Sequence, residues 1–303
     1  MCAAGAAPRM TTPLALHPVT GAIGAEIVGF DVAGLLRSGA LADYAAALKA
    51  ALHRHHVLFL RDQAIDRAGQ KRLTALFGPL TQVPYVEAMA DDPEVIAVLK
   101  EANEAGGGVF GGDWHSDFSF LAKPPAGSVL VAVEVPPFGG DTLWANQELA
   151  LAMLPAELHR QIAGRDGIHS GKPYGVAHAP RPETQSGRSI KMTRGDPAAD
   201  REQAHPLIRR HPESGADALF VNPIYTTRLA DRDEAASADL LARLYHHATQ
   251  PGFCCRWRWR AGDVAIWDNR TTLHYAVNDY DGYRRLLYRA TFGDTAEHRI
   301  ISF

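Results

Sequence analysis

Along FCCRWRWR (253–260) apolar and polar side chains alternate: Phe253, Cys255, Trp257 and Trp259 fall on one face, and Cys254, Arg256, Arg258 and Arg260 on the other. A period of two marks a half-buried strand. Runs of strand length recur at VLFLRD (57–62), VIAVLK (95–100), GSVLVAVEV (127–135), DVAIWDN (263–269) and RRLLYRATF (284–292). LALHPVTGAIGAEIVGFDV (14–32) alternates and turns at glycines, the pattern of an opening hairpin. The period changes elsewhere. Leu41, Tyr44, Ala45, Leu48 and Leu52 share one helical face and predict an amphipathic helix running into HRHH (53–56). His53, His55 and His56 read as its solvated end. DRAGQKRLTALFG (66–78) predicts a helix closed by Gly78, and ELALAMLPAELHRQIAG (148–164) a helical stretch broken at Pro155. Strands near both ends of the chain with helices between them predict an antiparallel barrel or double sheet clad by helices.

The 303 residues contain no internal repeat and no low-complexity linker, so the pattern reads as one domain over 14–303 behind a flexible tail, 1–13. One interruption stands out. Residues 171–204 are rich in proline, glycine and charge with little periodicity, and a loop of that length is expected to be a lid over a site or a passive insertion. Apolar residues make up 46 % and charged residues 21 %, as in a globular protein with a full core. A net charge of −3 leaves no polyanion footprint, so nucleic acid is excluded as the expected partner. No apolar run approaches the roughly 20 residues that span a bilayer, so no membrane is expected. The opening MCAAGAAPRM lacks the apolar stretch of a secretory signal, and Met10 is a second candidate start. Three cysteines offer neither a disulfide framework nor a paired metal motif, which fits a reducing cytoplasm.

With 14 histidines in the chain, position matters more than presence. In GGDWHSDFSF (111–120), His115 and Asp117 are two residues apart, so an extended segment aims both at one side. That arrangement offers a nitrogen and a carboxylate to one metal ion, or it is polar punctuation in a turn. A third ligand must come from elsewhere, and His274, read as lying in a loop after DVAIWDN, is the best candidate. Two histidines and one carboxylate with open positions opposite are the ligand set of non-haem Fe(II) oxygenases. The same three residues around Zn²⁺ would instead activate water for hydrolysis. Arg285 and Arg289 lie four apart on one strand, on one face at roughly 13 Å separation. Buried guanidiniums are costly unless each meets an anion. One would hold the far carboxylate of an α-keto diacid and the other an acidic substrate, or both would pair with Asp279 or Asp281 on the preceding turn.

Together, the central HxD, GGDTLW (139–144), RWRWRAGDVAIWDNRTTLHYA (256–276) and RRLLYRATFGD (284–294) resemble the taurine/2,4-dichlorophenoxyacetate dioxygenase (TauD/TfdA) family, over about residues 14–294. The resemblance implies a double-stranded β-helix, or jelly-roll, core with flanking helices. It implies Fe(II) held by His115, Asp117 and His274, and 2-oxoglutarate whose far carboxylate is gripped by Thr142 and Arg285. It further implies Arg289 on the substrate anion, Tyr225 as a wall of the pocket, and O2 as second cosubstrate. The implied reaction hydroxylates a C–H bond and releases succinate and CO2. The carboxylate that related halogenases lack is present here as Asp117, so hydroxylation is the reading.

Two departures bear on the substrate. Val83 in FGPLTQVPY stands where taurine-specific members carry a histidine for the sulfonate, and FGGD (110–113) is glycine-rich where they place polar groups for the amine. The expectation is therefore a small acid with an apolar body: a sulfonate, a sulfate ester or a carboxylic acid. Taurine dioxygenase proper is the alternative, with a zinc hydrolase behind it. A small acidic molecule is the expected partner, with self-association to a dimer or tetramer.

Overall fold

The computed structural model describes residues 13–104, 108–177 and 188–294. Residues 1–12 of the expected tail and the centre of the expected insertion, 178–187, lie outside the described residues.

Two facing sheets organise the chain. The larger takes β1 (Leu16–Pro18), β2 (Ala25–Ile27), β3 (Val57–Leu60), β4 (Val95–Lys100), β5 (Gly127–Glu134), β13 (Val264–Asp268) and β15 (Arg285–Phe292), in the order β1-β2-β3-β13-β5-β15-β4. Its pairings are antiparallel except β2 with β3. The smaller sheet places β6 (Thr142–Asn146) between β12 (Cys254–Trp257) and β14 (Thr272–Ala276). The strands between β6 and β12 form two small sheets: β7 (Asp166–His169) between β8 (Gln203–Pro206) and β11 (Thr226–Leu229), and β9 (Ile208–Arg210) with β10 (Asp217–Leu219). Residues 269–271 carry the chain from β13 in one sheet to β14 in the other. The double-sheet reading holds, and the core is a jelly roll. Between the sheets pack Phe59, Trp144, Trp257, Trp259 and Trp267, with Phe59 stacked on Trp257 at 4.0 Å between ring centroids. The alternation in 253–260 is the direct cause: Cys255, Trp257 and Trp259 are buried in that layer, Phe253 is buried against His247, and Arg256, Arg258 and Arg260 are exposed.

Helices cover the outer faces. Beneath the larger sheet lie α1 (Val32–Ser38), α2 (Ala45–His55) and α3 (Arg67–Thr74), which bury Val32, Leu48, Leu52 and Leu73 in one cluster. The Asp31 and Asp66 carboxylates accept from Gly34 N–H and Gly69 N–H and so start α1 and α3. Against the smaller sheet lie α4 (Gln147–Ala152), α5 (Ala156–Ile162) and α6 (Glu234–Ala248).

Two expectations need correction. Helix α3 ends at Thr74, not at Gly78; Gly78 instead lets the chain approach β15, since a Cβ there would sit 2.1 Å from the Gly293 carbonyl oxygen. HRHH is not a wholly solvated end, because His56 adopts a left-handed backbone (φ 63°) that turns its ring inward. Its Nδ1 lies 3.1 Å from the Thr271 hydroxyl.

Burial pushes the His56 pKa from 6.5 down to about 4. Burial, aided by His205 and Arg209, pushes His169 down to about 3. Both folded values lie below the unfolded value, so on acidification the unfolded chain binds these protons first. Their contribution is complete above pH 6.5 and is lost as pH falls toward 4, at about 1.4 kcal/mol per pH unit for each histidine. Denaturant midpoints measured from pH 7.5 to 5 should fall accordingly; a flat profile would refute the buried neutral state.

Candidate active site

The segment 111–117 is drawn onto β14 by reciprocal backbone bonds: His115 N–H donates to His274 O at 3.1 Å, and His274 N–H to His115 O at 2.8 Å. Ala276 N–H donates to Gly111 O at 2.8 Å. Gly111 has φ 76°, and a Cβ there would lie 3.2 Å from the His115 ring, so glycine suits the position doubly. His274 therefore lies on a strand, not in a loop. The Thr272–Ala276 run is fully paired with β6, and its β-prone TLHYA sequence suits that role.

This zipper brings His115, Asp117 and His274 together, with one ligand atom from each within 4.8 Å of the others. His115 Nε2 lies 3.6 Å from Asp117 Oδ1, and His274 Nε2 lies 3.8 Å from Asp117 Oδ2. Two metal–ligand bonds of roughly 2.1 Å reach across such gaps. His115 Nδ1–H donates to Asp113 O at 2.7 Å, leaving the Nε2 lone pair facing inward. Burial, reinforced by neighbouring His115, lowers the His274 pKa to about 3, so its imidazole is neutral. Burial opposes ionisation of Asp117, but Arg289 and the two histidines outweigh it and hold the carboxyl below the usual range. Asp117 Oδ2 is buried with no hydrogen-bond partner. Two imidazoles, one carboxylate and an orphaned oxygen fit a divalent ion.

A second group, His53, His211 and Asp268, is as compact but already satisfied. His211 Nε2–H donates to Asp268 at 3.0 Å, and its Nδ1 accepts from Glu213 N–H and Ser214 N–H. Asp268 also accepts two bonds from the Arg270 guanidinium, at 2.9 and 2.6 Å. His211 and Asp268 therefore spend on these bonds the lone pairs an ion would need.

Arg285 and Arg289 project between the sheets, both buried. Neither forms an ion pair with Asp279 or Asp281 on the preceding turn: Asp279 takes Arg256 and Gly140 N–H, and Asp281 takes Lys100. Arg285 donates to Gly140 O at 3.0 Å and to Thr142 Oγ1 at 3.5 Å, and its guanidinium lies 5.9 Å from the Tyr280 ring. Among the described residues no carboxylate is in ion-pair reach of it. Burial lowers its pKa, with Tyr280 and Asp141 opposing. Arg289 donates through Nη1 to Asp117 Oδ1 at 3.0 Å, while its Nε and Nη2 are buried without partners.

The family model described as "Taurine catabolism dioxygenase TauD, TfdA family" matches residues 15–291. The chain belongs to the TauD/TfdA family. It is 36 % identical over 283 residues to the alpha-ketoglutarate-dependent sulfate ester dioxygenase of Pseudomonas putida, covering 92 % of this chain and 89 % of that one. It is 34 % identical over 284 residues to an alkylsulfatase of Acinetobacter baylyi, covering 93 % and 85 %. A crystal structure of a taurine dioxygenase from Burkholderia xenovorans superposes with a TM-score of 0.74 at 32 % identity, covering 93 % and 92 %.

In this TauD/TfdA chain three spaces around these residues share lining side chains. An inner cavity of about 40 Å³ runs from His115 and His274 to Thr142, Arg285 and Arg289. An outer one of about 160 Å³ opens on His115 and Asp117 and is walled by Tyr174, Met192, Arg194 and Tyr225. Tyr225 is buried, its hydroxyl 3.4 Å from that of Tyr174. Val83 does not line the spaces at His115, Asp117 and His274; it lines a third cavity of about 210 Å³ that reaches Arg289. The described flanks of the 171–204 segment supply Tyr174, Arg188, Met192 and Arg194 to the outer wall. Tyr174, Tyr280 and Asn269 reach the site without being singled out by any motif, and Trp259 is marked only as a member of a buried strand face. Trp259 Nε1–H donates to Thr142 Oγ1 at 3.0 Å and so orients it. Only the polar residues of NDY (278–280) and WDN (267–269), next to the strands that carry the histidine and the arginines, hinted at the rest.

Proposed function

We propose that the chain is an Fe(II)- and 2-oxoglutarate-dependent dioxygenase that hydroxylates a small anionic organic substrate and releases succinate and CO2. One observation carries the reading: a cavity with His115 and His274 at one end holds, at the other, a buried arginine with no carboxylate partner among the described residues. A buried cation without an anion is costly. A diacid that reaches both ends removes that cost, and a zinc hydrolase would have no use for Arg285. Fe(II), held by His115, Asp117 and His274, would supply activation of O2 and oxidative decarboxylation of the keto acid. Thr142 and Arg285 would fix the far carboxylate, with Trp259 keeping the Thr142 hydroxyl in place. Arg289 would bind the substrate anion through Nε and Nη2, the donors it does not spend on Asp117.

The substrate class follows from the walls. Phe118, Phe120, Tyr174 and Tyr225 form an aromatic cluster beside Asp117, suited to an apolar body. Val83 leaves room near Arg289 and no polar hold on a sulfonate. The sulfate ester dioxygenase and alkylsulfatase relatives support a sulfate ester over taurine.

A panel of alkyl sulfates, aryl sulfates, alkylsulfonates, aryloxyacetates and taurine, scored by succinate release, tests this. Sulfate esters should head it and taurine should trail; succinate coupled best to taurine would reverse the assignment. Arg289→Lys keeps the charge but loses the planar fork, so the KM for substrate should rise by about 10- to 100-fold with the 2-oxoglutarate KM little changed. An unchanged substrate KM would remove Arg289 from the anion site.

A further inference from the structure

We propose that Asn269 is a positioning residue for the metal carboxylate, holding Asp117 in place by a side-chain pairing that substitutes for a missing strand. The proposal rests on reading His115, Asp117 and His274 as the metal ligands. The backbone ladder that docks 111–117 on β14 stops at the His115–His274 bridge. Two residues on, Asp117 has no strand beside it, and its backbone groups are buried. The Asn269 carboxamide takes both: its Oδ1 accepts from Asp117 N–H at 2.7 Å, and its Nδ2–H donates to Asp117 O at 2.9 Å. This is the donor–acceptor pair that a neighbouring strand residue would offer.

The amide is itself fixed. Nδ2 also donates to Pro125 O at 3.0 Å, Asn269 N–H donates to Ala126 O at 2.9 Å, and the Ser116 hydroxyl donates to Asn269 O at 2.7 Å. Asn269 sits in the 269–271 turn, which the Asp268–Arg270–His211 network braces from the other side. The clamp meets a local need, because the next residue, Phe118, has φ 49°, a conformation that a large side chain seldom adopts unaided. Without the amide, the bend at 117–118 would relax and carry the carboxylate off its line to the two histidines. Only a side chain with one donor and one acceptor at amide spacing makes both bonds, which explains asparagine.

The test uses Co(II) alone as an anaerobic probe, with affinity read by calorimetry and coordination by visible absorption, on the parent, Asn269→Ala and Ser237→Ala. Ser237 on α6, outside the lining of the inner and outer cavities, accepts from Leu229 N–H in a buried bond and donates to Asp233 O in a partly buried one, and controls for general loss of stability. Asn269→Ala should bind Co(II) about 10- to 100-fold more weakly with an altered absorption band, whereas Ser237→Ala should melt lower yet bind like the parent. Should Asn269→Ala fail to fold, Asn269→Ser carries the same comparison. Parent-like Co(II) affinity and absorption in a folded Asn269 variant would overturn the proposal. A parent chain that takes up no Co(II) would remove the metal centre itself, and the clamp with it.

Discussion

Asp117→Ala is expected to abolish iron-dependent succinate release while leaving a folded chain. Three protein ligands become two, and the imidazoles that remain carry no charge to offset that of a divalent ion. The loss extends further, since Asp117 Oδ1 is also the acceptor for Arg289, whose guanidinium would then be buried with no anion among the described residues. Removing one partner of a buried pair typically costs about 3–5 kcal/mol, so the variant should also melt at a lower temperature. His115→Ala and His274→Ala should be equally inactive. Succinate release and Co(II) calorimetry check all three together. Turnover above a hundredth of the parent rate, or parent-like metal affinity, would remove that residue from the ligand set.

Arg285→Ala should raise the 2-oxoglutarate requirement by roughly 100-fold or more, because a charge-assisted contact of a few kcal/mol is lost and each 1.4 kcal/mol is a factor of ten. The site amplifies the effect. Arg285 is buried beside Gly140 O, Thr142 Oγ1 and the Tyr280 ring, where a charged contact is screened less than at the surface. Thr142→Ala should cost less, about 1 kcal/mol for a neutral donor, with a further penalty because Trp259 N–H loses its acceptor. The readout is the 2-oxoglutarate dependence of the weak visible band formed anaerobically with Fe(II), which needs no substrate. Parent-like titration by both variants would place the diacid elsewhere.

The sequence by itself determined whatever depends on neighbours along the chain. Alternation in 253–260 dictated which residues face the aromatic layer, because pleating turns successive side chains to opposite faces. Spacing alone put His115 and Asp117 on one side and Arg285 and Arg289 on one face of β15, and the caps at Asp31 and Asp66 mark helix starts that also need only local chain. The tertiary structure decided the rest, because it rests on pairings across more than a hundred residues. The Arg289–Asp117 contact spans 172 positions and the Asn269–Asp117 clamp 152. No local period encodes either. His274 became a strand residue only because β6 offered it a ladder, and His56 went from a solvated end to a buried ring only because β13 and its turn gave it Thr271. Val83 and Arg289 came to share a cavity for the same reason: the segment after FGPL pairs through Thr81 N–H with Thr291 O on β15. Local periodicity sets which face a residue occupies; the partner it meets there is set by which strands the sheet brings side by side.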